Sequence, residues 1–304
     1  MEFGSTSFID VGQHSMTDKI KNYKLNRASV PINSHETKDF IEKNLSVFHT
    51  GSKHITQIEV EESFRKFLTK NTNNSINLDN FKYAEYCYGT SQAITEFIAR
   101  NNKRRLRVSK IDFVLSKIVG NAYKIKITSL EEDKIRKNDC IVISFPFSGN
   151  GSYYNNYEEI LNEATKLQVP VLIDGAYFGI GNGIEYPINH DCVTDFTTSL
   201  SKSHGVADYR IGIRFRKEFV DDHISASKDA DVFNRFAACV GVCLMSNFTH
   251  DHLLKKYVSQ QKKICDDLKI DMTKTLTFGL GDNKAWSDYA RGDNARICIS
   301  ENFV

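Results

Sequence analysis

The sequence lacks an excess of either charge. Forty Lys and Arg stand against 38 Asp and Glu in 304 residues, a formal net charge of +2. That leaves no electrostatic footprint for nucleic acid or anionic lipid. The one dense basic run, NNKRRLR at 101–107, reads as the solvated end of a helix. No apolar run approaches the roughly 18 residues of a membrane crossing, so neither nucleic acid nor membrane is expected as a partner. The first residues, MEFGSTSFIDVGQHS, lack the apolar segment of a secretory signal. EFGS reads as a cloning linker, which makes 1–15 a tag or linker and Met16 the natural start. The seven cysteines are odd in number and have no compact spacing. Cys239 and Cys243, four apart in FAACVGVCLM, share a helix face and read as core thiols, and a reducing, cytoplasmic setting fits them. His250 and His252 of HDH point to opposite sides of a strand or sit awkwardly on a helix, so no metal site is expected. There is no internal repeat and no low-complexity linker.

What is present is ordinary globular material, 40% hydrophobic and 26% charged, with length enough for a sizeable core. From about 36 to 70, apolar residues return every three to four positions, a helical pattern. YAEYCY then reads as a strand ending in the turn Gly89-Thr90-Ser91, and SQAITEFIARNN as the helix this turn opens. RLRVSKIDFVL, AYKIKITSL, CIVISFPFS, PVLIDGAYF, CVTDFTTSL and YRIGIRF are short β-branched or aromatic runs, several separated by helical segments such as NNYEEILNEATKLQ. This alternation predicts an α/β fold: a three-layer α/β/α large domain around a mostly parallel mixed sheet. After about 228 the chain turns helical and closes with two strand candidates, TLTFGLG and ARICIS. The expected organisation is an N-terminal arm and helix at 16–59, a large domain at 60–227, and an abbreviated α+β small domain at 228–304.

In open α/β sheets ligands gather at the carboxyl ends of strands. There the sequence places Asp174 with Tyr177, Lys202 amid Ser199, Ser201 and Ser203, the helix start after Gly89, and the loop PFSGNG. An anionic pyridine aldehyde would suit this set. A buried Asp keeps a pyridinium protonated, a lysine condenses with the aldehyde, a phenol bonds the ring oxygen, and a helix N-terminus with Arg210 holds phosphate.

SLSKSHGVADYRIG resembles the lysine-to-arginine signature of the class I/II aminotransferases, within the fold-type I family of pyridoxal-phosphate enzymes. DGAYF resembles the family's Asp-x-Ala-Tyr segment, YGTSQAI its phosphate-binding turn, and ARICIS its late Arg-x-x-x-Ser strand. The order along the chain is also the family's, over roughly 45–300. The resemblance implies pyridoxal 5′-phosphate as cofactor, with Lys202 as Schiff-base lysine and proton-transfer base. Asp174 would pair with the ring nitrogen and Tyr177 with the ring oxygen. Ser199 and Arg210 would hold phosphate with Gly89, Thr90 and Ser91, Phe113 would stack on the ring, and Arg296 would bind the substrate α-carboxylate.

Two departures stand out. The family's Asn-Pro-x-Gly loop is FPFSGNG here, so Ser148 or Asn150 would replace the usual Asn contact. Only eight residues follow Arg296, so the closing helix is expected to be absent. GIGNG at 179–183 mimics part of a dinucleotide fingerprint without its helix and reads as a loop. The expectation is a homodimeric, ping-pong aminotransferase acting on an α-amino acid and a 2-oxo acid. β-Elimination, decarboxylation, or a degenerate cofactor-binding role are the alternatives.

Overall fold

A computed structural model describes residues 21–70 and 73–303. The linker assigned to 1–15 and the start at Met16 lie outside them. A strap at 21–34 leads into α1 (His35–Lys43), capped by Ser34, and α2 (Leu45–Gly51). Next comes α3 (Gln57–Thr69), opened by a reciprocal Thr56–Glu59 capping box. The large sheet uses β1 (Tyr83–Tyr88), β2 (Arg105–Val108), β3 (Ile127–Ser129), β4 (Asp139–Ser144), β5 (Val171–Asp174), β6 (Val193–Ser199) and β7 (Ile211–Arg216). Between them run α4 (Thr90–Arg100), α5 (Leu115–Ala122), α6 (Tyr157–Leu167) and the single turn α7 (Leu200–Ser203).

The strand order is β1-β7-β6-β5-β4-β2-β3. β2 to β6 run parallel, and β7 is antiparallel to both its neighbours. Alternate residues of β4 and β5 explain the layering. Ile141, Ile143, Val171 and Ile173 join a core beneath α3 and α6, whereas Cys140, Val142 and Leu172 join one beneath α4 and α5. Strands buried on both faces read as continuous apolar runs, as DCIVIS does.

The remaining chain forms α8 (His223–Asp229), α9 (Arg235–Asn247), α10 (His252–Leu268), β8 (Asp271–Met272), β9 (Phe278–Gly281), β10 (Ala290–Arg291) and β11 (Asn294–Cys298). The last four strands make an antiparallel sheet ordered β10-β11-β9-β8, which packs against α10. α9 contributes Ala237, Ala238, Val240 and Leu244 to the large-sheet core. The small-sheet core begins with Leu253 on this part of the chain and also takes in Ile32, Tyr177 and Ile180. No described helix is long and apolar enough to cross a membrane.

Four local readings need correction. Arg105 and Arg107 are not a solvated helix end. They lie on β2, where Asp139 at the start of β4 takes Arg105 Nε at 2.6 Å and Arg107 Nη1 at 2.9 Å. Arg107 is fully buried, and backbone carbonyls satisfy its other donors. The run 105–115 is strand only as far as Val108, because the buried Asp112 carboxylate turns the chain by accepting from Ser144 N at 3.0 Å and Phe113 N at 2.7 Å. Lys202 is not on a strand end but on α7, three residues past β6. Arg210 precedes β7 in the left-handed conformation, φ 57°.

Candidate active site

The carboxyl ends of β1, β4, β5 and β6 open on a cavity of about 440 Å³, walled on the far side by β10 and β11. Thr90, Ser91, Phe113, Ser148, Asp174, Tyr177, Ser199, Lys202, Arg210 and Arg296 all line it.

Asp174 ends β5, buried, and accepts from the Ala176 backbone N–H at 3.1 Å, with the Thr90 hydroxyl also acting on it. Burial above all, and then the nearby Asp112 carboxylate, push its carboxyl up to about 7. Lys202 projects from α7 and donates to the Ser29 carbonyl at 2.7 Å. Burial draws its amine down to about 8, and the Arg296 and Arg210 guanidiniums add to the effect. Tyr177 is buried with its hydroxyl 3.5 Å from Ser148 Oγ, and its ring meets Phe278 edge-on.

The helix end at Gly89 could hold an anion. α4 has no side-chain cap, so its first N–H groups face outward. Gly89 has φ 74°, and a Cβ there would lie 2.4 Å from Arg210 Nη2. Glycine thus lets the guanidinium close over the turn, donating to Ser91 Oγ at 2.7 Å and the Tyr88 carbonyl at 3.0 Å.

The loop after β4 brings one of Ser148 and Asn150 to the cavity. Phe145, before the cis Phe145–Pro146 peptide, is buried among Tyr153, Tyr157 and Tyr186. Ser148 reaches the cavity. Asn150 does not, because its side chain closes its own turn, accepting from Ser152 N at 2.8 Å and donating to the Tyr153 carbonyl at 2.7 Å. Phe113 stands at the mouth, 46% exposed.

Arg296 enters from β11, 2% exposed, with its guanidinium 4.2 Å above the Phe278 ring. It donates to the carbonyls of Ser148 and Arg27, and its Nε has no partner among the described residues. Burial lowers its pKa to about 10.

Sequence reasoning missed several cavity residues. Ser144 accepts from Ser148 N at 2.7 Å and donates to Asp112, linking that buried acid to the cavity. Arg291 and the strap residues Ala28 and Ser29 also line it. Arg291 carried a signal, a second arginine five residues before Arg296. The strap carried none, because only tertiary folding brings it over Lys202. Among the described residues no cluster of three or more His, Cys, Asp or Glu could hold a metal ion.

No protein-family model matches the chain, and no curated protein matches it. Solved structures do. An aromatic aminotransferase from Pyrococcus horikoshii superposes with a TM-score of 0.68 at 14% identity, covering 94% of each chain. A C–S lyase from Staphylococcus hominis, with pyridoxal phosphate bound, gives 0.67 at 11% identity over 99% of this chain and 94% of that one. An L-threonine-O-3-phosphate decarboxylase from Porphyromonas gingivalis gives 0.62 at 16% identity over 89% and 92%. The chain therefore has the class I/II aminotransferase fold, fold type I of the pyridoxal-phosphate enzymes.

Proposed function

We propose that the chain is a pyridoxal-phosphate-dependent aminotransferase moving an amino group between an α-amino acid and a 2-oxo acid. The observation that carries this is the convergence in one cavity of Lys202, Asp174, Tyr177, Arg210 and Arg296. The residues fit the cofactor. The uncapped start of α4 under Arg210 suits its phosphate, Asp174 is a buried acid in no ion pair among the described residues, and Ser148 and Tyr177 offer hydroxyls to its ring oxygen. When bound, the cofactor supplies an aldehyde conjugated to an electron-withdrawing pyridinium.

The chain's own residues would do the rest. Asp174 holds the proton at the ring nitrogen. The Lys202 amine, drawn down to about 8 by burial so that its neutral form is within reach near neutral pH, would hold the aldehyde and would be the base for the proton on the substrate Cα. Arg296 orients the substrate through its α-carboxylate, offering the unpartnered Nε and a planar fork. Phe113 at the mouth narrows access for water.

The same cavity would serve β-elimination or decarboxylation, which differ in the bond broken. We further propose a cytoplasmic homodimer. Phe113, Val114 and Ile118 beside the mouth are 46%, 55% and 57% exposed and would be covered by a second copy. A small domain built from α10, β8 to β11 and the strap would form the far wall.

The test is to load purified protein with cofactor and reduce it with borohydride. Peptide mapping should find the adduct on Lys202, and Lys202→Ala should abolish both adduct and colour. Adding an amino acid should then bleach the unreduced protein to the amine form of the cofactor. Release of ammonia or carbon dioxide instead would assign a lyase or decarboxylase. An adduct on another lysine would overturn the proposal.

A further inference from the structure

The cavity is short of negative charge. Its lining holds Lys202, Arg210, Arg291 and Arg296 against the single acid Asp174. On the reading above, phosphate answers Arg210, the ring nitrogen answers Asp174, and an α-carboxylate answers Arg296. Arg291 is left over.

Arg291 is half-buried on β10, and neither it nor Arg296 has an ion pair among the described residues. Its Nε donates to the Ile111 carbonyl at 2.8 Å and one Nη to the Asp112 carbonyl at 3.2 Å. Two neutral acceptors thus aim the guanidinium without compensating its charge. Burial and repulsion from Arg27, an exposed strap residue, disfavour that charge, although Tyr177 and Asp112 partly offset this. A loop pin needs no net charge, and a cation without an ion pair in a cleft is a candidate for binding an anion.

Register fixes its relation to Arg296. Arg291 pairs with Asn294, so Arg296 lies two residues along the facing strand, on the same face of the sheet. Such diagonal neighbours have Cβ atoms about 7–8 Å apart. The two forks can therefore grip two anionic groups joined by a short carbon chain.

We infer that Arg291 binds a second anionic group on the substrate side chain, so that the site takes amino acids bearing a side-chain carboxylate or phosphate. This rests on the proposed amino-acid chemistry, and its test has an arm that does not depend on it. Calorimetry on the protein as purified would compare succinate and glutarate with butyrate and valerate. Cofactor-loaded protein would in parallel be bleached with L-aspartate, L-glutamate or O-phospho-L-serine, each against L-asparagine, L-glutamine or L-serine.

The parent should favour the dianion in each pairing by about tenfold or more, the scale of one charged hydrogen-bonded contact. Arg291→Gln should erase the preference while binding of monocarboxylates and the colour on Lys202 persist. Arg291→Lys, which keeps the charge, should retain part of it and serves if the Gln variant is unstable. Whether the preference appears with aspartate and glutamate or with phosphoserine identifies the anion. Equal binding of mono- and dianions by the parent, or an unchanged ratio in Arg291→Gln, overturns the inference. If no colour forms, the aminotransferase reading fails, and the calorimetric ratio still decides the role of Arg291.

Discussion

Asp174 and Lys202 are each held in a place that disfavours their charge, and each makes pH a probe. Lys202 has its amine drawn down to about 8 by burial, so the neutral, nucleophilic form dominates from a pH about 2.5 lower than in a free lysine. Covalent capture of pyridoxal phosphate should speed up with pH and level off near pH 8 to 9, as stopped-flow absorbance would show. A plateau only above pH 10 would mean an exposed amine. Asp174 works in the opposite sense. Its native carboxyl keeps a proton up to about pH 7, whereas an unfolded chain gives it up near about pH 4. The native state of the cofactor-free protein therefore loses stability at this site as pH rises between those values. Asp174→Asn should melt higher than the parent at pH 8 and close to it at pH 4, a comparison scanning calorimetry makes directly. Both residues were legible in the sequence because an acid closing an apolar strand, and a lysine among small hydroxyls, are unusual on their own terms. Asp112 was not. It sits inside what reads as a strand, and its meaning lies in Ser144, 32 residues away. Asn150 misled because a turn amide and a ligand amide look alike until the partner carbonyl is seen.

At the scale of elements, β7 is held to β1 and α8 by charge as well as by its ladder. Glu85 of β1 takes Arg214 at 2.8 Å and Arg216 at 2.8 Å, and Asp222, the N-cap of α8, takes Arg214 at 2.5 Å. Arg214, Arg216 and Glu85 are all buried. Removing one member of such a set leaves charge without compensation, at a cost of about 3–5 kcal/mol. Glu85→Gln should lower the denaturation midpoint accordingly, with the urea slope unchanged. A shift under about 1 kcal/mol would show that water reaches the network. The pairing could not be read from the chain, because IRFR shows Arg214 and Arg216 two positions apart and nothing of what faces them. The parallel strands were legible for the converse reason. DCIVIS and VLID are apolar on both faces, and only a sheet covered on both sides buries such runs. The two-residue strands β8 and β10 have no pattern of their own and take their form from β9 and β11.

For the whole molecule, the cavity lies between two apolar cores, and the strap is what crosses it. Tyr23 bonds Asp267 at 2.7 Å, and Asn26 exchanges backbone hydrogen bonds with Cys298. Ile32 joins the small-sheet core before Ser34 caps α1 on the other side. Between these anchors the carbonyls of Arg27 and Ser29 accept from Arg296 and Lys202. Lys202 and Arg296 are thus engaged with the protein's own backbone, and any guest that claims them must first win them from the strap. Most ligands slow the exchange of amide protons with solvent wherever they bind. Here a guest that took Lys202 and Arg296 would release the clasp across them, while the Asn26–Cys298 pair, at 3.0 Å and 2.9 Å, would still tether it. Hydrogen–deuterium exchange should accordingly run faster, not slower, at residues 27–30 once cofactor and substrate analogue are in place. Cys298 itself should stay protected.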